Sequence, residues 1–136
     1  MVLDASAITT YLIEQVSRDK VYNVMRDTLE GGFRLFTADL AYVEVANALW
    51  RACTLRGLID EEVVFESLNS LYGLPLESIR QEGGLIKRAV EISLESGLSV
   101  YDSIYVSVAE RERAAIFTLD EKQCRVAEKY VHAHMI

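Results

Sequence analysis

Short apolar runs alternate with longer stretches of helical periodicity along the whole chain. Val2-Leu3-Asp4 is an apolar run closed by an acid and predicts a short buried strand. Ser6 follows as the expected N-cap of a helix reaching about Ile13. A second helix is predicted from about Ser17 to Leu29, with Val21, Val24, Met25 and Leu29 on one face and Gly31-Gly32 as its stop. Phe33 to Phe36 predicts a second strand. Thr37 or Asp39 then caps a long helix to about Arg56, and Asp60-Glu61-Glu62 opens another to about Tyr72. Leu76 to Ile79, just after the single proline, predicts a short edge strand. Helices are expected over 85–96 and from Ser99 to about Arg113, and a strand over 115–119. A helix over 121–130 and a last strand over 131–135 complete the chain. Strands alternating with helices imply an α/β fold with a mainly parallel sheet of four to five short strands, covered by helices.

Against this pattern four acids stand out: Asp4 and Asp120 at the ends of predicted strands, Asp102 at the start of a helix, and Glu44 inside a largely apolar helix. A charge within an apolar run is costly unless it is paired or holds a metal. The carboxyl ends of parallel strands share one edge, where ligands bind, and the helix carrying Asp102 returns its N-terminus to that edge. Topology thus gathers Asp4, Asp102 and Asp120. Glu44, Asn47 and Arg51 fall at i, i+3 and i+7, a narrow polar stripe that lines either a cleft or a solvent-exposed flank; the helix alone does not separate the two. An all-carboxylate donor set suits a hard cation, Mg²⁺ or Mn²⁺, rather than zinc. Such an ion polarises a phosphoryl oxygen and activates water.

Composition narrows the classes. The chain has 136 residues, 51% hydrophobic and 26% charged, enough for one domain spanning 1–136. No apolar stretch approaches the ~20 residues that span a bilayer, and the start lacks a signal-peptide pattern, so a cytoplasmic location is expected. Cys53 and Cys124 are expected as free thiols. The net charge of −7 argues against broad phosphate neutralisation, although four of those charges are the candidate ligands themselves.

Four blocks carry a resemblance: Val2-Leu3-Asp4-Ala5-Ser6; Leu40 through Leu49 around Glu44; Val100-Tyr101-Asp102 through Glu110; and Phe117-Thr118-Leu119-Asp120. Together they resemble the signature blocks of PIN domains, in the order and spacing of the small VapC toxins of toxin–antitoxin pairs. The resemblance implies a three-layer α/β/α domain and Mg²⁺- or Mn²⁺-dependent endoribonuclease activity on RNA. Asp4, Glu44, Asp102 and Asp120 are similar to the family's acidic metal ligands. Ser6 resembles the hydroxyl that assists the first acid and Thr118 the one that braces the last, while Asn47 matches a polar residue one turn past the helical acid. A small antitoxin partner and a homodimer are implied as well.

Arg51, Lys122 and Arg125 are candidate phosphate contacts, with solvated surface charge as the ordinary role of each. His132 and His134 share a face of the last strand but lack further clustered ligands. Neither Gly31-Gly32 nor Gly83-Gly84 has a phosphate-loop context. Alternatives are a PIN-fold RNA-processing or quality-control nuclease, for which the chain is short. A phosphate-sensing receiver fits poorly, because Ala5 rather than a second acid follows Asp4. A binding scaffold would make four placements coincidental.

Overall fold

The computed structural model describes residues 1–135, Gln15 through its backbone alone. Its elements are β1 (Val2–Leu3), α1 (Ala5–Ile13), α2 (Gln15–Glu30), β2 (Leu35–Ala38), α3 (Leu40–Thr54), α4 (Glu61–Tyr72), β3 (Leu76–Ile79), α5 (Gly83–Ser96), α6 (Val100–Glu112), β4 (Ile116–Thr118), α7 (Glu121–Ala127) and β5 (Ala133–Met135). The five strands form one sheet in the order β3-β2-β1-β4-β5. Every pairing is parallel, with Val2 opposite both Phe36 and Ile116. The α/β class and the mainly parallel sheet are therefore as the alternating pattern implied, at five strands. Among the described residues no helix is long and apolar enough to cross a membrane.

Two-residue β1 is the central strand and is wholly buried, so its neighbours hold it by backbone pairing on both sides. The helix α6 packs on β1, β2 and β4 and buries seven consecutive residues, Ser103 to Ala109. A helix enclosed on all sides has no place for unpaired polar groups. Its two buried serines are paired accordingly: Ser93 Oγ donates to Ser103 Oγ at 2.9 Å, and Ser107 Oγ donates to the Ile104 carbonyl at 2.8 Å.

Several boundaries shift from the pattern-based expectation, and three have a clear cause. The second strand begins at Leu35, not Phe33, because the Phe33 N–H bonds back to the Thr28 carbonyl and closes the end of α2 through Gly32, whose φ is +78°. It extends through Thr37, whose hydroxyl donates to the Leu3 carbonyl at 2.8 Å and so tolerates complete burial. The helix α7 stops at Ala127, where the N–H groups of Tyr130 and Val131 both turn back to the Ala127 carbonyl.

Candidate active site

Asp4 follows β1 at the carboxyl edge of the sheet and is buried. Its Oδ1 accepts from the Ala7 N–H at 2.8 Å and the Ser6 hydroxyl at 2.7 Å, and its Oδ2 accepts from the Thr118 hydroxyl at 2.5 Å. Asp4, not Ser6, is thus the N-cap of α1. An aspartate in extended backbone reaches the N–H three residues on, which leaves Ser6 already inside the first turn, two residues too late for that role. Ser6 instead clamps Asp4 and accepts from the Leu119 N–H at 3.0 Å, tying α1 to the end of β4. Burial pushes the Asp4 carboxyl above its ordinary range; the bonds from Thr118, Ala7 and Ser6 pull it partly back, and the Asp102 charge raises it again.

Glu44 projects from α3, half-buried, and accepts from the Tyr105 hydroxyl of α6 at 2.5 Å. Its carboxyl is also raised, chiefly by burial and further by the charges of Asp102 and Asp4, against the lowering bond from Tyr105. Asp102 lies in the first turn of α6. Ser99 caps that helix by accepting from the Asp102 N–H at 3.1 Å, and its hydroxyl returns to Asp102 Oδ2 at 2.6 Å. The fixing of these side chains leaves Glu44 Oε1 and Asp102 Oδ1 without a protein hydrogen bond among the described residues.

Asp120 follows β4 at the same edge and serves locally as a cap. Its side chain is exposed and caps α7, with Oδ1 accepting from the Gln123 N–H at 2.7 Å. The charge of Asp102 raises Asp4, and both raise Glu44, so these three acids are electrostatically coupled. Thr118 joins both groups, donating to Asp4 while accepting from the Asp120 N–H at 2.9 Å.

Two partners of these acids escape a reading of the sequence. Gln123 is buried; its amide nitrogen donates to the Asp102 carbonyl at 3.1 Å, and its Oε1 lies 2.8 Å from the Thr118 hydroxyl. The single proton of that hydroxyl therefore has two acceptors in reach, Gln123 and Asp4. The available signal was the pattern Asp120-x-x-Gln123, which matches a capping box. Thr118 already satisfies the Asp120 N–H, so the glutamine is released to face Asp102 instead. Tyr105 was the other omission, an aromatic hydroxyl three residues past Asp102 and hence on the same helix face.

The stripe on α3 borders a cleft of about 530 Å³, whose walls include Thr9, Glu44, Asn47, Arg51 and Arg56. This resolves the two readings of that stripe in favour of the cleft, with Asn47 and Arg51 still exposed within it. Lys122 and Arg125 are elsewhere: the Lys122 ammonium donates to the Gly97 carbonyl at 2.6 Å, and Arg125 approaches Glu121 at 3.9 Å. His132 and His134 are exposed at the far edge strand. Among the described residues no three His, Cys, Asp or Glu side chains stand close enough to enclose an ion by themselves. An octahedral cation that keeps most of its waters needs only one or two direct carboxylates, and the all-oxygen donor set fits that kind of ion.

A profile of the PIN domain matches residues 1–129. The chain is 31% identical over 131 residues to Ribonuclease VapC3 of Pyrobaculum aerophilum, covering 96% of this chain and 94% of that one. Among solved structures, a P. aerophilum protein superposes with a TM-score of 0.71 at 22% identity, covering 97% of this chain and 87% of the other. VapBC2 of Rickettsia felis, solved with a DNA fragment from its promoter, gives 0.70 at 14% identity, with 98% and 96% covered.

Proposed function

This chain belongs to the PIN-domain family, and from that premise we propose that it is a divalent-metal-dependent endoribonuclease, the toxin of a VapBC-type pair. One observation carries the reading. Asp4, Glu44 and Asp102 converge at the carboxyl edge of a parallel sheet, and none of the three forms an ion pair among the described residues. Carboxylates held together without a cation raise one another's pKa, a cost that a bound divalent ion removes.

Asp4, Asp102 and Asp120 would hold the ion, directly or through its waters, and Glu44 would hold or orient a water beside it. Mg²⁺ or Mn²⁺, when bound, supplies Lewis acidity toward the phosphodiester and lowers the pKa of water. Ser6, Thr118 and the Ala7 N–H fix the Asp4 carboxylate, so that it cannot rotate away as charge changes nearby. Ser99 and Tyr105 each occupy one oxygen of Asp102 and Glu44 and leave the other for the site. A small antitoxin protein and a second copy of this chain are the partners of this reading. The VapBC2 assembly among the similar structures supports the first.

The test is cleavage of a mixed structured-RNA pool with Mg²⁺ or Mn²⁺, against EDTA and against Asp102→Asn. Cleavage that needs the metal and is lost in the variant supports the reading. Cleavage that survives both removes the acidic site from the mechanism, and no cleavage by folded, metal-loaded, partner-free protein counts against a general ribonuclease.

A further inference from the structure

The cleft beside Glu44 has a composition the acids do not require. Arg51 and Arg56 line it together with Glu14, with Asn47 between Arg51 and Glu44 on α3 and with Ile13 and Leu58 among its apolar walls. The chain is strongly acidic, and Arg26, Arg34, Arg88, Arg111 and Arg125 all have carboxylate partners. Arg51 and Arg56, like Arg18, Arg80 and Arg113, have no ion-pair partner among the described residues, and Arg51 and Arg56 line the same cleft. Two unpaired guanidinium groups in one concavity form an anion site, since guanidinium matches phosphate oxygens through two parallel N–H bonds. The Thr9 hydroxyl, on the same wall, is buried without a hydrogen-bond partner, a polar group that a ligand or its water would satisfy.

Position tells which anion. Seven residues of helix separate Glu44 from Arg51, roughly 10 Å along the axis. A stacked strand advances roughly 3.4 Å per nucleotide, so a strand cleaved beside Glu44 brings a phosphate about three nucleotides away to Arg51. The apolar side chains suit ribose and base edges, while Glu44 and the other acids repel phosphate from the metal-free end. We propose that this cleft binds the RNA strand next to the cleaved bond, with Arg51 and Arg56 each neutralising one backbone phosphate. The proposal rests on the ribonuclease reading above and identifies how the substrate is held and aligned.

The test separates binding from cleavage. Fluorescein-labelled single-stranded RNA is titrated with the Asp102→Asn protein, and with the same protein carrying Arg51→Ala and Arg56→Ala, from 50 to 200 mM salt. Two lost phosphate contacts on a single strand make the slope of log K against log salt shallower by about 1.4 and weaken binding at least tenfold at the lowest salt. Arg51→Lys with Arg56→Lys restores the slope, because the point charges return, and Arg34→Ala at the opposite sheet edge leaves it unchanged. Circular dichroism melts confirm that each variant is folded. In protein with Asp102 intact, the double alanine variant raises KM with kcat unchanged.

An unchanged slope in the double variant, with the parent binding and cleaving RNA, overturns the cleft and leaves the ribonuclease reading intact. Inorganic phosphate or a mononucleotide binding as tightly as the oligomer also overturns it, making this a small-anion site. A parent that neither binds nor cleaves RNA removes the ribonuclease reading and the cleft proposal together.

Discussion

Glu110 on α6 meets Arg88 of α5 through both carboxylate oxygens, at 2.7 and 3.0 Å. The same guanidinium reaches Glu91 at 3.2 Å and sits over the Tyr130 ring at 5.3 Å. Glu44 on α3, of the same residue type, meets a phenol and two further carboxylates. One glutamate is answered by a cation and the other by like charge. The first arrangement is what stability alone selects. The second is tolerable only because tyrosine, serine and threonine hydroxyls supply what a cation otherwise would, and it leaves attraction for a cation from outside the chain. Among the described residues no arginine pairs with the three central acids, whereas Arg88 pairs with both Glu91 and Glu110 on the α5–α6 flank.

The sharpest break in this comparison is Asp4→Asn. The amide oxygen still accepts from Ser6 and Ala7, and its NH₂ donates to Thr118, whose proton then goes to Gln123. The buried charge is gone with the network intact, so we expect cleavage to fall at least about a hundredfold while the metal-free fold gains on the order of 1 kcal/mol, seen as a melting temperature several degrees higher. A matched loss of stability would show that the site is not held against its own repulsion.

Gln123→Leu is expected to be the next largest. It preserves volume but removes the amide joining Thr118 to the Asp102 carbonyl, so cleavage falls about tenfold. The stability change should stay near 1 kcal/mol, because Thr118 retains Asp4 as acceptor. Loss of stability equal to the loss of activity would demote it to ordinary packing.

The pH dependence follows from the raised carboxyls of Asp4 and Glu44. The folded state holds their protons more tightly than the unfolded chain does. Their favourable contribution is therefore complete below the ordinary carboxylate pKa of about 4 and lost as pH rises through the raised values. In melts of metal-free protein, the advantage of Asp4→Asn over the parent should vanish near pH 4 and grow toward pH 7. Saturating Mg²⁺, which binds the parent, should shrink it again.

On the other side of the comparison, Arg88→Met keeps the aliphatic stem and removes the charge. Its side chain is 34% exposed and that of Glu110 is 28% exposed, so a loss of about 1 kcal/mol is expected, with cleavage unchanged. Altered cleavage would mean that this flank reaches the site through α6.

Much of this was legible in the chain because strands and helices carry their own periods and caps. Asp60 and Ser99 cap where their positions predict, and Gly97 ends α5 with φ +70°. The errors lie where a local signal has two readings. Phe33 reads as strand by hydropathy, yet 70% of it is exposed, because Gly31-Gly32 carry the α2 closing turn one residue further. Asp4 and Ser6 both qualify as caps, and only backbone geometry chooses. Asp120 caps α7 as Asp4 caps α1, a role that the strand-then-helix pattern allows but does not assign. Gln123 and Tyr105 act across 21 and 61 residues, and no local pattern reports a partner so distant.

The bond from Thr118 to Asp4 spans 114 residues and closes on the central strand of the sheet. β1 is made well before β4, one of its two neighbours, since 114 positions separate Asp4 from Thr118. A nascent chain released up to α6 carries Asp4, Glu44 and Asp102 but has neither Thr118 to fix the first nor Gln123 to hold the helix bearing the third. Closing so long a loop is slow relative to local helix formation. The arrangement around Asp4 and Asp102 therefore waits for β4 and α7, and is complete only once residues through Gln123 have left the ribosome.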